Sequence, residues 1–157
     1  MSRRRSCGLS LVLAALLAVA GCTGDTIFSQ YRPVNDAGWL RADTLVFPVP
    51  PIAATGNYDC LVGLRTTGRY PYADLTVVVV CQNVTSGSQR TDTVCASLID
   101  DRGRTKGTGV ALVDHHALLT TYSLTAGDSL HLIMWHNMKL EPLPGIADIG
   151  LTLIRRH

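Results

Sequence analysis

The sequence predicts an all-β protein, built as a single antiparallel β-sandwich or partly open barrel of seven to eight strands. Composition is the first reason, because glutamate occurs only once, as Glu141, while valine, threonine, leucine and glycine are frequent. The second reason is that short alternating apolar segments are separated by turn residues along the chain. The third is that no segment between them has the helical periodicity that would connect parallel strands.

Residues 1–21 have the features of a lipoprotein signal peptide. Three arginines, Arg3 to Arg5, precede an apolar run from Leu9 to Ala20, which is shorter than the roughly 20 residues that a membrane-spanning helix needs. Small residues follow, and Val19-Ala20-Gly21-Cys22 matches the lipobox pattern. We therefore predict that Cys22 carries the acyl chains and becomes the first mature residue. An ordinary signal peptide with a chance cysteine is the alternative.

Residues 22–157 have the length of one ordinary domain. Three of the 14 Lys and Arg residues lie in the signal peptide and all 12 Asp and Glu residues lie outside it, so the mature net charge is −1. No basic stripe remains, which excludes a nucleic-acid-binding surface. Residues 22–43 are rich in turn residues and predict a lipid-anchored tether, with Phe28, Tyr31 and Trp39 packing back onto a β-sandwich domain at 44–157.

Four strands are predicted in the first half of the domain, at Thr44–Val49, Asn57–Thr66, Leu75–Gln82 and Thr91–Ile99. The first contains Pro48 and runs into further prolines, so it is expected at the edge of a sheet. The third contains four successive valines, and a strand that is apolar on both sides is expected at the sheet centre with both faces covered.

Four more strands are predicted in the second half of the domain. Two short ones, Val110–Val113 and Leu118–Leu124, are separated by the polar residues 114–116. Leu130–Met138 and Asp148–Ile154 then alternate strongly between apolar and polar positions. The strands together are typical of antiparallel sheets joined by short turns.

Histidines and cysteines do not have the spacing of a metal site. Adjacent His115 and His116 on a strand point to opposite faces, so a metal-dependent hydrolase that uses them with nearby Asp residues is the weakest hypothesis. No serine lies in a GxSxG motif. Among Cys60, Cys81 and Cys95 one disulfide is possible but cannot be assigned, and at least two of them are expected to be buried hydrophobic side chains. Neither a cofactor nor a bound metal is predicted.

Aromatic residues offer a second hypothesis, a surface carbohydrate-binding module. A platform for stacking sugars could be built from Trp39, Tyr58, Tyr70, Tyr72, Tyr122 and Trp135. Packing in the core and at its rim is the more ordinary role for aromatic side chains on strands.

A partner-binding surface is predicted around Arg65, Tyr70 and Tyr72. Arg65 shares the less apolar face of its strand with Leu61 and Gly63, where a guanidinium stays hydrated or meets a carboxylate. Tyr70 and Tyr72 flank a proline, and arginine and tyrosine are enriched at binding hot spots. The alternative is that Arg65 pairs with an internal acid such as Asp74 and the tyrosines cover the edge of the core.

Several short motifs, taken in their order along the chain, resemble one family. They are the F-x-x-Y and W-x-x-x-D segments at Phe28 to Asp43, Arg65 ahead of Tyr70-Pro71-Tyr72-Ala73-Asp74-Leu75, Thr91-Asp92-Thr93, the loop Asp101 to Gly109, His136-Asn137-Met138-Lys139, and Gly145-Ile146-Ala147-Asp148-Ile149-Gly150. Together with the lipobox they resemble the gliding-motility lipoproteins of the GldH type, found in Bacteroidetes. Lys139, where the family usually has Arg, and one extra residue near Gly127–Leu130 are departures from that pattern.

The resemblance implies a lipid-anchored accessory or structural subunit of the gliding-motility and associated secretion machinery, and not an enzyme. It places the protein at the outer membrane, facing the periplasm, with other envelope proteins of that machinery as partners. It transfers no catalytic residue to this chain.

Overall fold

A computed structural model describes residues 25–157, and these residues contain eight β-strands and no helix. No helix in this part of the chain is therefore long and apolar enough to cross a membrane. The strands are β1 (Thr26–Pro33), β2 (Leu45–Val49), β3 (Gly56–Thr66), β4 (Asp74–Asn83), β5 (Gln89–Ser97), β6 (Val113–Leu124), β7 (Leu130–His136) and β8 (Ile146–Arg155).

The strands form two four-stranded antiparallel sheets. The first sheet has the order β1-β8-β3-β6 and the second the order β2-β7-β4-β5. The sheets pack face to face, which confirms the predicted all-β sandwich and shows that it is not a closed barrel. As predicted for a strand with a proline, β2 lies at a sheet edge and pairs only with β7.

The core lies between the sheets and follows the period of two in each strand. On β7, for example, Leu130, Leu132 and Met134 are fully buried while the residues between them face outward. The largest fully buried side chains are Trp39, Phe47, Tyr58, Leu64, Leu75, Leu130, Leu132, Met134, Leu143, Ile149, Leu151 and Leu153. Burial of these apolar surfaces is the main source of stability for such a domain.

Strand β1 lies within residues 22–43, the segment that the sequence predicts as a tether packing back onto the domain. Thr26–Pro33 pairs along its length with β8, so the folded domain includes these residues. The sequence does not reveal this strand, because Gln30 and Arg32 lie on the same face as Phe28 and interrupt its apolar character. The Arg32 guanidinium reaches inward instead, 5.7 Å from the centroid of the Phe47 ring.

Strand β6 corrects the prediction of two short strands around residues 114–116. Val113–Leu124 is one strand, and its register with β3 shifts once, next to Cys60. The polar residues continue the alternation, with His115 buried and His116 exposed. Because polar side chains lie on both faces here, apolar alternation does not reveal this part of the strand.

Strand β4 is an interior strand, as predicted, but only one of its faces is covered. Leu75, Val77 and Val79 are fully buried, whereas Val78 and Val80 are half-buried on the outer face. That outer face is covered only by neighbours in the same sheet, since Val78 pairs with Trp135 and Thr93. The prediction that both faces are covered was therefore wrong.

Successive connections alternate between the two ends of the sandwich. One end carries the loops 50–55, 84–88 and 125–129 together with Asp25 and the C-terminus, and we call it the near end. The other carries the loops 34–44, 67–73, 98–112 and 137–145, and we call it the far end.

Candidate functional site

Arg65 lies on the outer face of the first sheet, between two carboxylates that the strand register places beside it. Arg65 pairs with Asp114 on β6 and with Asp148 on β8. Its Nε donates to Asp114 Oδ1 at 2.8 Å, and its Nη1 lies 3.7 Å from Asp148 Oδ2. Because β3 is an interior strand, both neighbours point to the same side as the guanidinium.

Tyr31 stacks against this arginine across the same face. The Arg65 Cζ lies 4.6 Å from the centroid of the Tyr31 ring, a cation–π distance. The ring crosses Gly150 on β8 and Gly63 on β3, which are aligned with it by register. A Cβ at Gly63 would lie 2.6 Å from Tyr31 Cζ, and a Cβ at Gly150 would lie 2.8 Å from Tyr31 Cγ, so both positions need glycine.

We call Tyr31, Arg65, Asp114 and Asp148 the Arg65 patch. Its charged groups are partly open to solvent, with Arg65 and Asp114 side chains 39% and 38% exposed. The hydrogen bond to Asp114 raises the pKa of Arg65, and burial raises the pKa of Tyr31, so the patch carries a fixed cation beside a neutral phenol at physiological pH. It presents a planar guanidinium, two carboxylates and an aromatic ring on one surface.

The two tyrosines predicted for the site lie in the loop 67–73 at the far end. Tyr70 Oη donates to the Asp74 carbonyl oxygen at 2.7 Å, and its ring packs against the core. The rings of Tyr70 and Tyr72 meet edge to face with centroids 6.1 Å apart, and Tyr72 is exposed. Burial raises the pKa of Tyr70 above its ordinary value.

The predicted site residues are thus only partly brought together. Tyr70 contacts Tyr72, but neither ring makes a hydrogen bond or stacking contact with Arg65 among the described residues. Arg65 pairs with Asp114 and Asp148 rather than with Asp74. Cys22, the predicted lipidation site, lies outside the described residues.

A second cluster at the far end is centred on His136. Its Nε2 donates to the Trp39 carbonyl oxygen at 3.0 Å, and its Nδ1 accepts from the Met138 amide at 3.3 Å. Trp39 and Leu143 exchange backbone hydrogen bonds of 2.8 and 2.9 Å, and Trp39 Nε1 donates to the Asp43 carbonyl oxygen at 2.8 Å. The cluster fastens the loop 34–44 to the loop 137–145.

His136 is held neutral within this cluster. The hydrogen bond that Nδ1 accepts from the Met138 amide requires a neutral ring, and burial lowers the pKa of His136. Glu141 Oε2 lies 3.6 Å from Nε2, and Glu141 Oε1 accepts from the Arg41 amide at 2.7 Å. No local sequence pattern predicted this role of His136 between two loops.

The other titratable candidates do not assemble into a reactive group in the part of the chain that the structure describes. No three His, Cys, Asp or Glu side chains there could hold a metal ion together. His115 points inward, where burial lowers its pKa, and His116 points outward, as the alternation predicted. Cys60, Cys81 and Cys95 are free, and burial raises the pKa of Cys60 to about 12 and that of Cys81 to about 11.

The aromatic residues do not form one sugar-stacking platform. Trp39, Tyr58 and Tyr122 are buried in the core. Trp135 is half-buried on the outer face of the second sheet, and Tyr72 is exposed in the loop 67–73.

The fold and the site together define an all-β sandwich protein with a polar, ion-paired patch on one sheet. Comparison with known families goes further, because the model of the family described as "GldH lipoprotein" matches residues 26–153. The chain therefore belongs to the GldH lipoprotein family, as its motifs predicted. It is a membrane-anchored lipoprotein associated with gliding motility.

A named relative agrees with this assignment. The chain is 29% identical over 150 residues to a protein of Flavobacterium johnsoniae called gliding motility lipoprotein GldH, and the match covers 91% of this chain and 92% of that protein. Among solved structures, a protein from Sulfurospirillum deleyianum is 10% identical, with a TM-score of 0.44, over 83% of this chain and 99% of that one. The Eiger TNF of S. frugiperda is 14% identical, with a TM-score of 0.32, over 85% of this chain and 95% of that one.

Proposed function

We propose that this protein is a non-enzymatic accessory or structural subunit of the gliding-motility and associated secretion machinery, anchored to the outer membrane through acylated Cys22 and facing the periplasm. In this role the β-sandwich is a rigid scaffold. The Arg65 patch, with exposed Tyr72 at the same end of β3, is the surface that binds another envelope protein of the machinery.

The proposal rests on one observation, that residues distant in sequence meet on one surface. Tyr31, Arg65 and Asp148 belong to three separate stretches of the family resemblance, and the sheet brings them into contact. Their contacts are stacking and ion pairing on a solvent-facing sheet, which suits recognition of a partner. Arginine and tyrosine are the side chains that most often dominate binding energy at protein interfaces.

Charge at the patch favours a partner that presents both a carboxylate and a basic group. The Arg65 guanidinium is planar and suited to bidentate pairing. Asp114 and Asp148 flank it on both sides, so the two carboxylates would repel a purely anionic partner and the guanidinium would repel a purely cationic one. Such alternating charge gives specificity and orientation more than raw affinity.

Cross-linking followed by purification from membranes tests the proposal. We expect the acylated wild-type protein to recover motility or secretion components, and Arg65→Ala to lose them while remaining folded and exported. Arg90→Ala is the matched control, because Arg90 also pairs with an aspartate, Asp92 at 2.6 Å, and lies over a tyrosine, Tyr122 at 5.6 Å. Equal recovery by both variants would reject the Arg65 patch as the binding surface.

The anchor is tested separately by Cys22→Ser. Loss of the acyl acceptor should move the protein from the membrane fraction to the soluble fraction, since two or three acyl chains give stable anchoring. Unchanged fractionation with membranes would contradict lipidation at Cys22.

Glycan binding by the purified protein that is lost in Trp135→Ala would instead support the carbohydrate-binding alternative.

A further inference from the structure

The acylated residue lies very close in sequence to the folded domain. Asp25 is already fixed, because its carbonyl oxygen accepts from the Arg155 amide at 2.7 Å and its carboxylate lies 2.6 Å from His157 Nε2. Only Thr23 and Gly24 separate it from Cys22. Three residue steps reach about 10 Å even when fully extended, so an acylated Cys22 keeps the near end close to the bilayer.

The three loops of the near end form one continuous surface. The Ile52 amide donates to the Asp128 carbonyl oxygen at 2.8 Å, and the Val84 amide donates to the Ser129 carbonyl oxygen at 2.8 Å. The Ala126 amide donates to Thr55 Oγ1 at 3.0 Å. These bonds satisfy backbone donors that would otherwise be costly to bring near hydrocarbon.

The loops at the two ends differ sharply in charge. In the near-end loops 50–55, 84–88 and 125–129 the one formally charged residue is Asp128, whose Oδ2 accepts from the Thr125 amide at 2.8 Å. The far-end loops contain eleven: Asp36, Arg41, Asp43, Arg69, Asp100, Asp101, Arg102, Arg104, Lys106, Lys139 and Glu141. Asp25, Arg155 and Arg156 bring the charged residues of the near end to four, still well below the eleven of the far-end loops, so the near end is the less costly one to place against lipid.

Apolar groups and basic groups are arranged together at the near end. An apolar groove of about 310 Å³ is lined by Ile27, Tyr58, Arg155 and residues 49–54, which include two prolines and Ile52. Val84, in the loop 84–88 at the same end of the sandwich, is 56% exposed. The Arg155 side chain lies at the groove, and the Arg156 side chain, which follows it in the chain, is 61% exposed and lies 3.6 Å from the Asp59 carboxylate on β3.

We infer that the near end rests on the surface of the lipid bilayer, with the loop 50–55 and Val84 in the headgroup layer and Arg155 and Arg156 facing lipid phosphates. This orientation rests on the proposed acylation of Cys22. It explains why an apolar groove and an exposed valine lie where the tether is shortest. The ten residues of β4 span about 30 Å, so the far-end loops stand roughly that far from the bilayer surface.

Fluorescence quenching by brominated lipids tests the orientation. The intact acylated protein is reconstituted into vesicles of phosphatidylethanolamine and phosphatidylglycerol that contain brominated phosphatidylcholine. Tryptophan is introduced at the near end as Ala53→Trp or Val84→Trp, and at the far end as Leu140→Trp or Val110→Trp, all at exposed positions. The parent protein supplies the background signal of Trp39 and Trp135, which lie toward the far end.

We expect bromine to quench both near-end tryptophans several-fold more than both far-end tryptophans. Equal quenching at the two ends, with normal flotation, would overturn the orientation alone. Failure of the parent protein to float with vesicles would overturn the anchor and the orientation together. A blue-shifted but unquenched Ala53→Trp emission would place a protein surface, such as a second copy of this chain, over the near end and would also overturn the inference.

Discussion

Arg65 and Tyr31 form a stacked pair on the outer face of the first sheet, with the guanidinium carbon 4.6 Å from the ring centroid. The pair is solvent-facing, and exposed ion pairs contribute little to stability. We therefore expect Arg65→Ala to lower the melting temperature only slightly, by about as much as Arg90→Ala. Thermal unfolding followed by circular dichroism measures both changes.

Tyr70→Ala provides the contrast in the same experiment. Tyr70 packs against the core and donates to the Asp74 carbonyl oxygen, so its loss should lower the melting temperature clearly more than the loss of Arg65. If Arg65→Ala also lost several degrees, then failure to bind a partner would be explained by weakened folding. That result would contradict the assignment of the Arg65 patch to an interface.

The two buried histidines predict a loss of stability in mild acid. Burial lowers the pKa of His136 and of His115 in the folded protein below the ordinary value of 6.5. The unfolded chain therefore takes up these protons first as the pH falls below about 6.5, and the free energy of unfolding decreases. Urea unfolding at about pH 7.5 and about pH 5.5 should show this decrease, by up to roughly 1.4 kcal/mol per pH unit for each imidazole that stays neutral.

His136→Gln is the control for this pH dependence. The glutamine amide cannot titrate, yet its NH2 group can donate and its carbonyl oxygen can accept, which are the two roles of the neutral imidazole. Its free energy of unfolding should fall less steeply with pH, with the remaining slope due to His115. Asp25 and Asp100, whose pKa values are also lowered, lose their stabilising effect only below about pH 4. An unchanged slope in His136→Gln would exclude His136 as a source of the effect.

Neighbouring valines on β4 should respond very differently to a buried charge. Val79 is fully buried between the sheets, so Val79→Asp should cost more than about 4 kcal/mol or prevent folding. Val78 is half-buried on the outer face, so Val78→Asp should cost only about 1 kcal/mol. Chemical unfolding of the two variants measures the difference. Equal losses would show that a further layer covers the outer face.

Local alternation predicted most of the strands because burial in a sandwich follows a period of two. It failed at β1, where Gln30 and Arg32 replace apolar residues on the inward side, and at 114–116, where polar side chains occupy both faces. It also could not distinguish a strand covered on both faces from one whose outer face is half-buried by its neighbours, as in β4.

The site was predictable only to the level of a single strand. Alternation correctly placed Arg65 on the less apolar face of β3, with Gly63. Its partners Asp114 and Asp148 come from strands remote in sequence, and their alignment depends on registers that no local pattern contains. Tyr31 was missed as part of the site because its position depends on β1 pairing with β8.

Substitution of Gly63 tests the position of the Tyr31 ring directly. A Cβ at Gly63 would lie 2.6 Å from Tyr31 Cζ, so Gly63→Ala must displace the ring and disturb its stacking with Arg65. We expect a loss of about 2 kcal/mol, which is typical of overpacking at a close contact. Gly68→Ala is the control, because a Cβ there meets nothing within 4 Å, and its effect should stay within about 0.5 kcal/mol.

A double-mutant cycle separates this contact from any general cost of alanine on β3. Tyr31→Ala removes the ring that a Cβ at Gly63 would strike, so the second substitution should then cost little. In the Tyr31→Ala background, Gly63→Ala should be neutral or slightly stabilising, because alanine loses less backbone entropy than glycine on folding, by about 0.5–1 kcal/mol. The two single losses measured by urea unfolding should therefore sum to more than the loss in the double variant. Additive losses would mean that Gly63 is required for a reason other than the Tyr31 ring, and the stacked geometry of the Arg65 patch would have to be abandoned.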